Sequence, residues 1–286
     1  MTAGHGGAGW EMRRQRMLGF IALLLGAAAI AFAPILVRWS DVSPTASAFW
    51  RVALAAPLLW LWAYARERRA ESMRGASDGI SRLTGGGPLA GLRGRAGMAL
   101  AGLLFACDLG AWHVSIAWTS VANATLEANF APVFVTLGAW LLWRERPKAA
   151  FLLALTITIA GAVLLIGPNF NAGGLAFRGD LLGTLTGMFY AGYMLAISSI
   201  AGKVSTARIM AVSTTVSALA LAPYAAFTAE HFVPQGAYGW LLLAALALVA
   251  QVAGQSLIAF GLSRLPAALS SVSLLAQAVL AALYAW

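Results

Sequence analysis

The 286-residue chain is 60% hydrophobic and 10% charged, and its mean hydropathy of +0.79 excludes a water-soluble domain, in which about 25% of residues are charged. A net charge of +9 and a pI near 10.6 would suit nucleic acid if the basic residues clustered, but they alternate by side of a membrane, which excludes that partner. The single cysteine, Cys107, rules out an intramolecular disulfide and a thiol metal site; packing is the role expected of it.

Residues 1–15 read as a cytoplasmic tail lacking the apolar core and cleavage site of a signal peptide. Nine apolar stretches follow at 16–37, 44–65, 96–118, 120–143, 149–167, 180–200, 206–228, 238–262 and 266–286. Each is near the ~20 residues that cross a ~30 Å hydrocarbon core as a helix. Backbone amides in lipid must bond within their own segment, so these spans, numbered 1 to 9, are expected to be helices of an all-α integral membrane bundle. With the N-terminus in the cytoplasm, 16 of the 19 Lys and Arg residues fall inside, only Arg38 and Arg178 fall outside, and Arg51 lies within span 2. That skew is the positive-inside rule. Trp39, Trp118, Trp240 and Trp286 then mark the outer interface and Trp60, Trp62, Trp140 and Trp143 the inner one, while Trp112 fits neither. The loop 66–95, rich in Arg, Gly and Ser, reads as a flexible cytoplasmic connector, and Thr119 alone turns span 3 into span 4, forcing an antiparallel hairpin.

Ionisable groups inside a span cost roughly 2.5–3.5 kcal/mol each on insertion scales and are usually paired, functional or facing a cavity. Arg51, His113 and Glu127 lie at similar depth, roughly 10 Å below the outer interface at ~1.5 Å rise per residue, so a partnership among them is geometrically open. Asp108 lies near the midplane and shares a face with Trp112 and Ser115 through spacings of four and seven. A carboxylate, an indole and a hydroxyl suit an amino acid, the charge for its ammonium and the ring for an apolar side chain; helix packing is the competing reading. Asn123 and Glu127 share a face of span 4 with Phe130 and Phe134. Tyr190, Gln251 and Gln255 supply uncharged polar groups, the two glutamines one turn apart and expected to face the same way, with interhelical hydrogen bonding as the alternative. Gly183 and Gly187 form a small-xxx-small pair for close packing. Pro34 and Pro132 interrupt helical hydrogen bonds and offer kinks or hinges. The candidate substrate-binding set is therefore Asp108, Trp112, Ser115, Asn123, Glu127, Tyr190, Gln251 and Gln255, with Arg51, His113, Pro34 and Pro132 in structural or gating roles. No metal ligand set and no cofactor site is expected.

The chain also repeats itself. Ser115–Trp140 pairs with Phe260–Trp286, and Asp41-Val42-Ser43 between spans 1 and 2 pairs with Lys203-Val204-Ser205 between spans 6 and 7. Residues 16–167 are expected to form one unit and 180–286 a second, and five spans per unit would insert the second upside down, with a cavity between the halves. After Ala139-Trp140 the first copy continues into span 5, whereas the second reaches Ala285-Trp286, so a tenth helix is expected beyond the given sequence.

Several motifs carry a family likeness: Phe49-Trp50-Arg51 with Ala55, Thr119-Ser120-Val121-Ala122-Asn123-Ala124, Pro132-Val133, Arg144-Glu145-Arg146-Pro147, and Gly261-Leu262-Ser263-Arg264-Leu265-Pro266-Ala267. With these the chain resembles the drug/metabolite transporter superfamily, in its EamA-type branch of two inverted five-helix repeats, and most of all the YddG-type exporters of aromatic and other neutral amino acids. The resemblance implies a bacterial inner-membrane exporter that works by alternating access, with a small-molecule substrate, the lipid bilayer as surroundings, and a monomer compatible with the fold. Other small metabolites or organic cations exchanged for protons are the alternative. An enzyme is not expected, for there is no H-E-x-x-H, no Cys–His metal pair and no phosphate-binding Gly-rich loop. Nor does a filter-like loop suggest a channel.

Overall fold

The computed structural model describes residues 5–74, 88–128, 130–144, 149, 152–153, 155–157, 160 and 174–285. Arg82, most of span 5, Glu145-Arg146-Pro147 and Trp286 lie outside the described residues. The regular structure is helical, apart from one isolated bridge, Ala201 to Val204, that closes a turn. The helices are α1 (His5–Ala31), α2 (Ala33–Trp39), α3 (Pro44–Arg74), α4 (Pro88–Trp118), α5 (Val121–Ala128), α6 (Ala131–Trp143), α7 (Leu175–Ile200), α8 (Thr206–Thr228), α9 (Ala237–Ala245), a π-helical segment Leu246–Gln255, α10 (Ser256–Leu262), α11 (Ala267–Ser273) and α12 (Ala276–Ala285). Six of the helical stretches are long and apolar enough to cross a membrane. Their outward faces carry large apolar side chains, with Phe227 90% and Leu219 70% exposed, a surface suited to lipid and not to water.

Two boundaries differ from the sequence reading. Helix α1 begins at His5, inside the expected tail. The expected connector is helical at both ends, since α3 continues to Arg74 and α4 starts at Pro88. Residues 65–74 are dominated by Ala, Arg and Glu, strong helix formers that extend a helix into water without apolar packing, and Pro88 suits a first helical position. Cys107, expected in packing, is exposed on the bundle flank.

The helical breaks have local causes. Pro34 sits in the first turn of α2 and Pro132 in the first turn of α6, each just after an interruption. A proline there removes an amide that would otherwise bond back into the preceding helix. At the second break Phe130 N–H donates to Glu127 O at 3.0 Å and Val133 N–H to Phe130 O at 2.9 Å, so three-residue bonds repair the ladder.

Packing between helices is doubled. Span 3 (α4) packs on span 6 (α7), and span 8 (the π segment and α10) packs on span 1 (α1). Span 4 packs on span 6 as span 9 packs on span 1, and span 3 on span 7 as span 8 on span 2. Span 2 meets span 7, and span 4 meets span 9. Exchanging spans 1–4 with spans 6–9 thus maps these contacts onto one another, as expected if the two copies are related by a two-fold axis.

Close approach depends on glycine. A Cβ on Gly102 would lie 2.5 Å from the Ser213 carbonyl oxygen and 2.6 Å from Val216 Cβ, at the crossing of α4 and α8, where Ser217 Oγ also donates to Gly102 O at 2.7 Å. At Gly110, two turns further along α4, the nearest atom would be 3.6 Å away. Gly102→Ala is expected to lower stability by about 1–3 kcal/mol through overpacking, while Gly110→Ala leaves it unchanged; thermal unfolding of detergent-solubilised protein, followed by tryptophan fluorescence, measures both.

Candidate functional site

A cavity of about 60 Å³ lies in the middle of the bundle. It is lined from α1 by Ile30, from α3 by Arg51, from α4 by Asp108, Leu109 and Trp112, and from the broken span 4 by Ala128, Ala131 and Pro132. Helix α7 adds Thr186, Tyr190 and Met194, the π segment Gln255, and the last two helices Ser271, Leu274 and Gln277. Its wall joins residues of both sequence copies.

Two helical breaks meet there. Span 4 is interrupted before Ala131, and span 9 between Ser273 and Ala276, where Leu275 N–H turns back to Val272 O at 3.1 Å and Gln277 N–H to Leu274 O at 2.9 Å. In the register that pairs Ser115 with Phe260, Phe130 falls opposite Leu275. Equivalent interruptions in the two halves of a bundle put freed backbone beside a cavity, the one place in a membrane where it is tolerated. The second break has no proline, which is why its sequence gives no sign of it.

Arg51 is 2% exposed. Its Nε donates to Gln251 Oε1 at 3.2 Å, and Gln251 Nε2 donates onward to Thr214 Oγ1 at 3.0 Å. Its guanidinium carbon stands 5.8 Å from the Phe105 ring centroid, and Asp108 is near enough to interact with its charge. The chain Arg51–Gln251–Thr214 therefore ties α3, the π segment and α8 together while presenting a cation to the cavity. Thr186 Oγ1, Tyr190 Oη and Gln255 Oε1, all in the wall, are buried without a partner of hydrogen-bond geometry, although Tyr190 and Gln255 are close enough to influence each other. Buried polar atoms are satisfied in the great majority of cases, so three in one wall mark a place for a polar solute or water.

Arg51, Asp108, Trp112, Tyr190, Gln255 and Pro132 meet in this wall; the other expected residues do not. Ser115, expected beside Asp108, donates to Gly179 O at 2.8 Å and joins α4 to α7. Gln251 and Gln255 are both buried in the π segment; Gln255 lines the cavity, while Gln251 stands behind the wall, bonded to Arg51. Arg51, His113 and Glu127 are not all brought together: His113 is near enough to Arg51 to feel its charge, with its Nδ1 2.8 Å from Leu109 O and its ring edge-on to Trp112, while Glu127 lies against Gly183 on α7. Asn123 is buried near the start of α5, its amide held by Ser120 Oγ at 3.0 Å, and Pro34 lies at the α1–α2 break. Sequence reading missed Thr186, Ser271 and Gln277. Of these, only Gln277, an amide within an apolar span, stands out in the chain. Among the described residues no group of three His, Cys, Asp or Glu side chains could hold a metal.

The sequence profile of the EamA-like transporter family matches residues 17–167 and 177–286. No curated protein sequence gives a significant match. Among matching solved structures, the crystal structure of a protein 22% identical superposes with a TM-score of 0.66 over 95% of this chain and 87% of the other, which shows a shared fold.

Removing the Gln251 amide takes from a buried cation its hydrogen-bonded acceptor, whereas Gln255 Oε1 makes no contact of hydrogen-bond geometry. Gln251→Leu is expected to cost about 1–2 kcal/mol of stability, between values for charged hydrogen bonds and for bonds between membrane helices. Gln255→Leu is expected to cost less than a third of that, and thermal unfolding of both variants in one detergent makes the comparison.

Proposed function

The chain belongs to the EamA-like transporter family as a multi-pass membrane protein, and on that premise we propose that it exports neutral amino acids, aromatic ones included, across a bacterial inner membrane. One observation carries the reading. A guanidinium, Arg51, and a carboxylate, Asp108, stand in the same cavity wall as the Trp112 indole and the Tyr190 phenol. A zwitterion answers both charges at once, its carboxylate to Arg51 and its ammonium to Asp108, and the aromatic rings receive an apolar or flat side chain. A guanidinium in the same wall works against a simple organic cation, which is the second reading.

A volume near 60 Å³ holds a few waters at ~10–15 Å³ each, so an amino acid fits only after the walls part. The breaks in spans 4 and 9 and the π segment in span 8 are where the bundle has least helical continuity to lose. Alternating access would then use the doubled packing, one face opening as its counterpart closes. The distribution of Lys and Arg between the two ends supports a cytoplasmic N-terminus.

Proteoliposomes containing the full chain are expected to take up labelled phenylalanine and threonine saturably. Asp108→Asn and Trp112→Ala should each lower the uptake roughly 10–100-fold, the equivalent of losing one charge-assisted or cation–π contact inside the membrane. Wild-type rates in both variants, with folding intact, would remove these residues from the site. Organic-cation uptake without amino-acid uptake would replace the reading with its rival.

A further inference from the structure

Four cations converge on a pocket of about 660 Å³ at the end of the bundle that carries the α7–α8 turn. Arg16 comes from α1, Arg66 from α3, Lys203 from that turn and Arg264 from the end of span 8, and Ser205 and Ser263 add hydroxyls to the wall. Among the described residues no carboxylate stands in it. Of the acids on α1 and α3 at this end, Glu67 holds Arg208 at 3.2 Å and Glu11 lies 3.7 Å from Arg14, while the exposed Glu71 is outside the wall.

Such partners as these cations have are neutral. Arg264 Nε donates to Gln15 Oε1 at 3.0 Å and its Nη1 to Ser263 Oγ at 2.8 Å, and its guanidinium carbon lies 3.3 Å from the Phe260 ring centroid. Lys203 Nζ donates to Ser199 O at 3.3 Å, and none of the four makes an ion pair among the described residues. The positive end of α8 adds to them: Ser205 caps this 23-residue helix by accepting the Arg208 amide at 3.3 Å, and Ser205 and Thr206 both stand in the wall. Like charges gathered from four elements repel one another, and an anion seated among them removes the repulsion.

We propose that this pocket holds the phosphate headgroup of an anionic phospholipid. Its level and its flank favour a lipid over a free anion. It opens where spans 1, 2, 7 and 8 end, at the depth of the headgroups, and basic pockets between helices at that depth hold phosphate-bearing lipids. Met12 and Arg16 of the wall share a face of α1 with Phe20 and Leu24 through steps of four, and Met12, Phe20 and Leu24 are all exposed. A headgroup seated on the cations therefore has an apolar track beside it for an acyl chain. Spans 1 and 2 belong to the first sequence copy and the α7–α8 turn and span 8 to the second, so the bound phosphate bridges the two halves at this end. Lipid binding here does not depend on which solute the protein carries.

The full chain in a neutral detergent is titrated with phosphatidylglycerol, phosphatidylcholine, inorganic phosphate or glycerol 3-phosphate, and thermal unfolding is followed by tryptophan fluorescence. Phosphatidylglycerol is expected to raise the midpoint by roughly 3–6 °C near saturation, the other three by less than a third of that, and added salt to weaken the effect. Arg16→Gln combined with Lys203→Gln should remove most of the rise. Arg13→Gln combined with Arg69→Gln takes the same charge from the same end but from outside the wall, and should keep it. Arg16 and Lys203 are exposed, and the lipid-free midpoint of each variant reports whether it is folded; if the first double variant is not, Arg66→Gln takes its place and should remove about half of the rise. An equal loss in both double variants would reduce the cluster to general surface charge and overturn the pocket. An equal rise with inorganic phosphate or glycerol 3-phosphate would overturn the lipid in favour of a soluble phosphate, and no rise with phosphatidylglycerol would overturn the site altogether.

Discussion

A backbone amide without a partner costs several kcal/mol in hydrocarbon, where no water can replace the lost bond. This constraint makes every crossing segment among the described residues a helix and decides where a helix can be broken. The interruptions in spans 4 and 9 both face the central cavity, and at each the freed amides turn back to carbonyls three residues earlier. The ten-residue π segment of span 8 also borders that cavity through Gln255. The irregular backbone of these three spans is thus gathered around one place, and the candidate binding groups are gathered there with it.

The second demand on the fold is the buried cation. Arg51 is bonded through Gln251 to Thr214, lies over Phe105 and interacts with Asp108. These partners come from three helical elements, α4, α8 and the π segment, so Arg51 is satisfied only once these have packed around α3. Its neighbour Trp50 acts at the surface of the same bundle end, donating its indole N–H to the Phe232 carbonyl at 2.8 Å and packing edge-on against Trp240. Two adjacent residues of one motif thereby join the halves at two depths.

Small residues set how closely those halves approach. Gly102 admits the backbone of α8, and Gly26 and Gly254 admit each other's helices, a Cβ on Gly26 lying 2.9 Å from Gly254 O. Gly183 and Gly187 let α7 reach Glu127 and the end of α5. Without apolar surface to hide from water, helices in lipid associate through such close contacts and through hydrogen bonds between them. The doubled contacts of the bundle depend on both.

The sequence by itself determined that the chain is a membrane-spanning helical bundle, because apolar length and the period of charged residues along the chain are one-dimensional quantities. It also aligned Ser115–Trp140 with Phe260–Trp286, and it singled out Arg51, Asp108, Trp112, Tyr190 and Gln255, since polar and charged groups stand out against an apolar background. It did not separate the groups that meet in the cavity from those spent on packing: Ser115 and Gln251 look as functional as Asp108 until their partners are seen. It gave no hint of the break at Leu274-Leu275, which has no proline, nor of the π segment that carries Gln251 and Gln255. The hydrogen bond from Thr119 to Asp180 was equally invisible, because 61 positions separate them in the chain. Partner choice between distant helices is set by packing in three dimensions, so only the tertiary structure decided which of these polar groups share a wall, a hydrogen bond or a backbone carbonyl.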